Sequence, residues 1–207
     1  MQPNTIPPPL NTKKLHDILI TFPPDTLEFV QKVYSQSEHI LEYGSGGSTA
    51  LALNGGAKRV VAVESDQNWA LEMNKILSEH YDTDRFLIHH ANIGPTRSWG
   101  FPENSRYHRK FHRYPNEIWD RMGDWHPDTV MIDGRFRKAC FITTMLQIKR
   151  PVNVLFDDYV NRPKYREVEA YSKPVEIVGR MARFELEPRE FPVAHLTQLI
   201  AAYAQAT

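Results

Sequence analysis

The stretch His39-Ile-Leu-Glu-Tyr-Gly-Ser-Gly-Gly-Ser-Thr49 constrains the fold more than any other part of the chain. Its first half, Ile40 to Tyr43, is an apolar run of the kind a parallel sheet buries on both faces. Its second half, Gly44-Ser45-Gly46-Gly47, is a turn whose backbone can take positive φ and approach a ligand with no Cβ in the way. A helix beginning near Ser48 aims unpaired N–H groups at the same place. Strand, glycine turn and helix N-terminus together predict a ligand cradle at the carboxyl end of a buried strand.

A second signal follows. Arg59-Val-Val-Ala-Val-Glu64 is a β run ending in a carboxylate, and Glu64 falls twenty residues after Gly44. At that spacing an acid on a second strand can hold two ribose hydroxyls. The turn is not a dehydrogenase fingerprint, because Gly-x-Gly-x-x-Gly counted from Gly44 meets Gly46 and then Thr49. Instead Glu42 stands two residues before Gly44. An acid there disfavours a pyrophosphate and favours an ammonium or a sulfonium.

The pattern Glu42-x-Gly44-x-Gly46 resembles that of class I, Rossmann-like S-adenosylmethionine-dependent methyltransferases. The resemblance implies that Gly44, Ser45 and Gly46 face the amino-acid end of S-adenosylmethionine, with Glu42 beneath them. It implies that Glu64 takes the ribose hydroxyls and that Ser65-Asp66 sits beside the adenine. Asn92 stands where the family often has an Asp that accepts from the adenine amino group. Its side-chain oxygen can do the same.

The remaining chain reads as alternating elements. A length of 207 residues suits one domain with a full core. Residues 1–37 are expected to form an arm and lid helices, and residues 38–207 a single methyltransferase domain with an insertion at 94–120. The four prolines in residues 1–9 predict an extended arm. Leu15, Ile18, Leu19 and Phe22 share a helical face, and Asp25 is a candidate cap for a helix from Thr26 to Ser35. Further strands are predicted at Arg85–His90, Thr129–Ile132 and Val152–Phe156, with helices after Asp66, at Lys138–Ile148, from Pro163 to Tyr171 and at Leu196–Ala204. Val175–Val178 and Ala182–Leu186 are joined so tightly through Gly179-Arg180 that they must be antiparallel. The fold class is α/β: a doubly wound, mostly parallel seven-stranded sheet with a C-terminal antiparallel hairpin and helices on both faces.

Asp133 and the pair Asp157-Asp158 end two strands expected to be neighbours. Their carboxylates meet at the sheet edge where α/β ligands bind. Together they can hold Mg²⁺, which favours oxygen ligands and lowers the pKa of a bound hydroxyl. The set is similar to the metal site of catechol-type O-methyltransferases, whose ligands are Asp, then Asp-Asn. Here Asp158 stands in the Asn position, and Phe136 stands where that family has a Lys base. Asp133 is therefore the candidate catalytic residue, as metal ligand or base. The other reading has Asp133 contacting the cofactor and Asp157-Asp158 capping a turn.

Acceptor contacts are sought in the aromatic and basic insertion, at Trp99, Arg106 and Arg109, and at Arg135 beyond the fourth strand. Arg binds carboxylates and phosphates in a bidentate manner. The expected activity is methyl transfer, at oxygen, to a small molecule or glycan. One alternative is a nucleic-acid methyltransferase using the basic 97–113 loop. A balance of 25 basic and 25 acidic residues gives no global field toward a polyanion. The other alternative is a non-catalytic binding module on this fold. A single cysteine, Cys140, excludes an internal disulfide and suits a reducing, cytoplasmic setting. The start shows no signal-peptide pattern, and no apolar run approaches the roughly 20 residues of a membrane helix. A homo-oligomer is left open.

Overall fold

A computed structural model describes residues 20–190 and 192–206. The expected proline-rich arm, and Leu15, Ile18 and Leu19 of the first helical face, lie outside them. The helices are α1 (Pro24–Tyr34), α2 (Gly47–Asn54), α3 (Gln67–Ser78), α4 (Arg113–Asn116), α5 (Arg137–Gln147) and α6 (Leu196–Tyr203). The strands are β1 (His39–Tyr43), β2 (Arg59–Glu64), β3 (Phe86–His90), β4 (Thr96–Arg97), β5 (Phe101–Pro102), β6 (Thr129–Ile132), β7 (Val152–Phe156), β8 (Glu176–Val178) and β9 (Met181–Leu186).

Seven strands form one sheet in the order β3-β2-β1-β6-β7-β9-β8. The first five are parallel, and β9 runs antiparallel to both β7 and β8. Strand residues alternate between two cores, as a period of two requires. Ile40, Val60, Met131 and Leu155 join Phe29, Ala50 and Met73 from α1–α3 on one face. Leu41, Val61, Val130 and Val154 join Tyr114, Phe141 and Ala202 from α4–α6 on the other. This is the expected doubly wound sheet with its antiparallel hairpin.

Local departures have local causes. Asp25 does not cap α1, which begins a residue earlier on Pro24; proline suits the first helical position because its missing N–H has no partner there anyway. Asp66 does cap α3, accepting from the Trp69 amide at 3.0 Å. The segment Pro163–Ala170 is a 3₁₀ helix rather than an α-helix. Its buried residues, Tyr165 and Val168, are three apart, the 3₁₀ period.

The 94–120 insertion is anchored rather than loose. It contains the β4–β5 hairpin and α4. Phe111, Tyr114 and Ile118 are buried in the core. Tyr43 donates its hydroxyl to the Pro115 carbonyl at 2.7 Å and accepts from Trp119 Nε1 at 2.7 Å. The insertion thus covers the carboxyl ends of β1 and β2.

The strand order reverses between β1 and β6, and a crevice opens at such a switch point. Here the chain passes close to itself. A Cβ on Gly134 would meet the Tyr114 hydroxyl, and would stand 2.8 Å from the Tyr43 carbonyl oxygen and 2.9 Å from the Gly44 nitrogen. Gly44 itself has φ +107°, a region that L side chains rarely adopt. Gly134→Ala should therefore destabilise the protein by about 1–3 kcal/mol, the usual range for overpacking. Urea unfolding measures this directly, and a change within experimental error would show that the crevice floor yields.

Candidate functional site

A cavity of about 460 Å³ occupies the crevice, a volume suited to a cofactor or drug-sized ligand. It brings together Gly44, Ser45 and Gly46 after β1, Glu64, Ser65 and Asp66 after β2, and Asp133, Gly134 and Arg135 after β6. Ile20, Thr21 and Phe22, Trp69, Trp99 and Tyr114 complete much of the wall.

The glycine turn is held from two sides. Trp69 Nε1 donates to the Ser45 carbonyl at 2.9 Å. Thr49 Oγ1 accepts from the Gly46 amide at 3.1 Å. Glu64 is buried at the end of β2, and its carboxylate accepts from the Ser65 and Asp66 amides at 2.7 and 2.9 Å. Its second oxygen accepts from the Ser45 hydroxyl at 3.2 Å. The carboxylate is thus fixed at the cavity wall, beside the turn.

Two expected cofactor residues are not on the cavity wall. Glu42 is 0 % exposed and does not line the cavity. It accepts hydroxyl hydrogen bonds from Tyr34 on α1, at 2.7 Å, and Thr49 on α2. Burial pushes its carboxyl up to about 7, against the pull of those hydroxyls. Glu42 therefore ties α1 and α2 to β1 beneath the turn. Asn92 is exposed, spends its side-chain oxygen on the Gly94 amide at 3.0 Å, and is not on the cavity wall. The hairpin folds back instead: the Ser65 hydroxyl donates to the Gly100 carbonyl at 2.9 Å, and Trp99-Gly100 fills that side.

Of the four expected acceptor residues, Trp99 and Arg135 reach the cavity. Trp99 is 79 % exposed at its mouth with φ +63°. Arg106 and Arg109 are exposed and outside the wall.

The three acids are brought together, but with guanidinium groups among them. Asp157 is 0 % exposed, and both its oxygens accept from Arg180, at 2.8 and 2.7 Å. Arg137 pairs with Asp133 at 2.9 Å and lies 3.4 Å from Asp158. It also lies 3.8 Å from the Asp157 carboxylate and donates to the backbone carbonyls of Asp133, Gly134 and Asp157. Arg162 and Arg180 flank Asp158 at 3.3 and 3.6 Å. The Mg²⁺ site expected at Asp133, Asp157 and Asp158 does not fit this donor set. The lone pairs a metal would use are turned to arginine, and a divalent ion would face fixed positive charges. Among the described residues no group of three or more His, Cys, Asp or Glu side chains is arranged to hold a metal ion. Burial and the neighbouring Asp157 raise the Asp133 carboxyl above the ordinary carboxylate range, with Arg137 opposing.

Arg137 and Arg180 are the structural residues that motif reading missed. A signal existed: three acids at adjoining strand ends need counter-charges, and Arg137 lies in the same Asp133-Gly-Arg-Phe-Arg segment.

A switch-point crevice with a glycine turn, an acid ending β2 and no phosphate-binding third glycine defines a class I methyltransferase site. Its glycine turn, the fixed Glu64 carboxylate and its volume fit S-adenosylmethionine. Comparison with known proteins agrees. A methyltransferase-like protein of Silicibacter pomeroyi is 39 % identical, with a TM-score of 0.82, over 90 % of this chain and 97 % of its own. The chain belongs to this family, the class I S-adenosylmethionine-dependent methyltransferases. The fold is shared with an O-methyltransferase of Bacillus cereus solved with S-adenosylhomocysteine, at 16 % identity over 80 % of this chain and 82 % of that one, TM-score 0.55. It is also shared with a Streptomyces achromogenes O-methyltransferase involved in tomaymycin synthesis, at 16 % identity over 78 % and 79 %, TM-score 0.53. No family model and no curated sequence matches the chain.

The buried Glu42 yields a pH prediction. Its folded carboxyl holds the proton more tightly than the unfolded one, whose value is about 4.3. The stability it lends is full below that value and is lost as pH rises through about 7. Glu42→Gln keeps the shape and stays neutral. Between about pH 5 and 7 the wild type should lose stability relative to this variant, by at most about 1.4 kcal/mol per pH unit. Urea unfolding across that range checks it, and parallel pH profiles would contradict it.

Proposed function

We propose that the protein transfers the methyl group of S-adenosylmethionine to an oxygen of a small molecule or glycan. The observation that carries the reading is one cavity shared by the Gly44–Gly46 turn, Glu64 and Asp133. Bound there, S-adenosylmethionine supplies an electrophilic methyl group on a sulfonium. The turn's backbone and the start of α2 receive the amino-acid end. Glu64, already fixed by Ser45, Ser65 and Asp66, accepts from the ribose hydroxyls. Asp133 holds the acceptor hydroxyl and takes its proton as transfer proceeds. Its raised carboxyl suits that task, because a base works best with a pKa close to the working pH. The cavity holds acceptor and donor in line, and this positioning supplies much of the rate.

Several features support a small acceptor over nucleic acid. The net charge is zero, and Arg106 and Arg109 stand outside the cavity wall. The single cysteine is a buried thiol, which supports a cytoplasmic setting. No helix among the described residues is long and apolar enough to cross a membrane.

The test is label transfer from methyl-labelled S-adenosylmethionine to a panel of hydroxylated small molecules. With the acceptor found, Asp133→Asn should lower kcat by about 10²–10⁴, the usual worth of a positioned base, while S-adenosylhomocysteine affinity holds. The acid limb of the wild-type pH–rate profile should lie above the ordinary carboxylate value of about 3.9. Chelators should leave the rate unchanged, because arginine already neutralises the acids. Full turnover by Asp133→Asn, or loss of activity on chelation, would overturn these assignments.

A further inference from the structure

The charge inventory of the cavity is unbalanced at one residue. Among the described lining residues Arg135 is the one cation. It is 8 % exposed, yet it forms no salt bridge with any described residue, and its Nε is buried with no hydrogen-bond partner. Its guanidinium carbon lies over the Phe101 ring, 3.9 Å from the centroid. Stacking leaves the edge of the guanidinium, where its donors lie, free to point elsewhere.

Of the acids on the wall, Glu64, Asp66 and Asp133, only Asp133 acts on this charge, and none pairs with it. Asp133 pairs with Arg137 at 2.9 Å. Both oxygens of Glu64 accept from the serines and amides of the cradle. Burial lowers the Arg135 pKa, and the charge of Arg137, two residues on, lowers it further. A desolvated cation kept beside another cation is unfavourable unless a ligand supplies the anion.

We infer that Arg135, stacked on Phe101, is the specificity-determining residue for an acceptor carrying a carboxylate or phosphate. This rests on the methyltransferase reading and names its acceptor class. The carboxylate of the cofactor is the competing partner. It has another place to go, at the backbone N–H groups that open α2 above Gly46. An anionic acceptor also offsets the positive sulfonium that shares the cavity. The walls beside Arg135, Trp99 and Tyr114, suit a planar body attached to the anion.

Calorimetry on the protein saturated with S-adenosylhomocysteine tests this, with benzoate, phenyl phosphate and neutral benzamide as probes. At least one anion should bind tenfold or more tightly than benzamide, and which one does so separates carboxylate from phosphate recognition. Arg135→Met should abolish that preference and leave S-adenosylhomocysteine affinity within twofold. Arg135→Lys, which keeps the charge but not the fork, should retain a weakened preference if the Met variant does not fold. The inference is overturned if benzamide binds as well as the anions, or if neither anion binds. It is also overturned if Arg135→Met loses S-adenosylhomocysteine instead, which assigns Arg135 to the cofactor. Failure of wild type to bind S-adenosylhomocysteine at all would count against the methyltransferase reading itself, and is separately visible.

Discussion

The contact between Gly134 and the Tyr43–Gly44 peptide is the constraint on which the site depends. At the switch point two strand ends approach so closely that no Cβ fits between them. That approach brings the turn after β1 beside Asp133 and Arg135 after β6, so donor and acceptor residues share one cavity. The Tyr114 hydroxyl, 3.3 Å from the Val63 carbonyl, closes the same spot from the insertion. Sheet topology, glycine placement and the docked insertion therefore act on one point.

Charge organises the neighbouring edge. Burying Asp157 without a partner would be strongly unfavourable, and Arg180 from the β8–β9 turn supplies a bidentate one. Arg137 links Asp133 to the carbonyls at the ends of β6 and β7. The cluster resembles a metal site in its acids and differs from one in its cations. Its arginines fix the strand ends that a divalent ion fixes elsewhere. Arg135 differs from them in forming no salt bridge with any described residue, and this is the basis for assigning it to the acceptor.

What could be read before the structure follows from how local each interaction is. The strands at Arg59–Glu64, Thr129–Ile132 and Val152–Phe156 keep their expected bounds to the residue. A strand buried on both faces leaves a short apolar run, and its length and β-branched content separate it from a buried helix segment. The packing of Phe111, Tyr114 and Ile118 was not legible in the same way. Pro115 and a run of basic residues interrupt the period, and their partners lie on distant strands. Asn92 shows a similar limit. It follows β3 as expected, but the hairpin that begins four residues on puts Trp99-Gly100 on the cavity wall instead. Glu42 was found as part of the motif, while its burial under Tyr34 depends on a helix packed from outside it. Arg137 and Asp133 are only four residues apart, but the contacts of Asp157 with Arg137 and Arg180 join residues 20 and 23 apart and arise only once β6, β7 and β9 pair.

The central claim is that this crevice is a cofactor cradle built on Glu64 and the Gly44–Gly46 turn. Calorimetric titration with S-adenosylhomocysteine tests it most directly, on wild type and on Glu64→Ala. The account predicts micromolar binding, about −8 kcal/mol, weakened about ten- to a hundredfold or more in the variant, as expected when hydrogen bonds to a charged group are lost. No binding by the wild type, or equal binding by the variant, would contradict it.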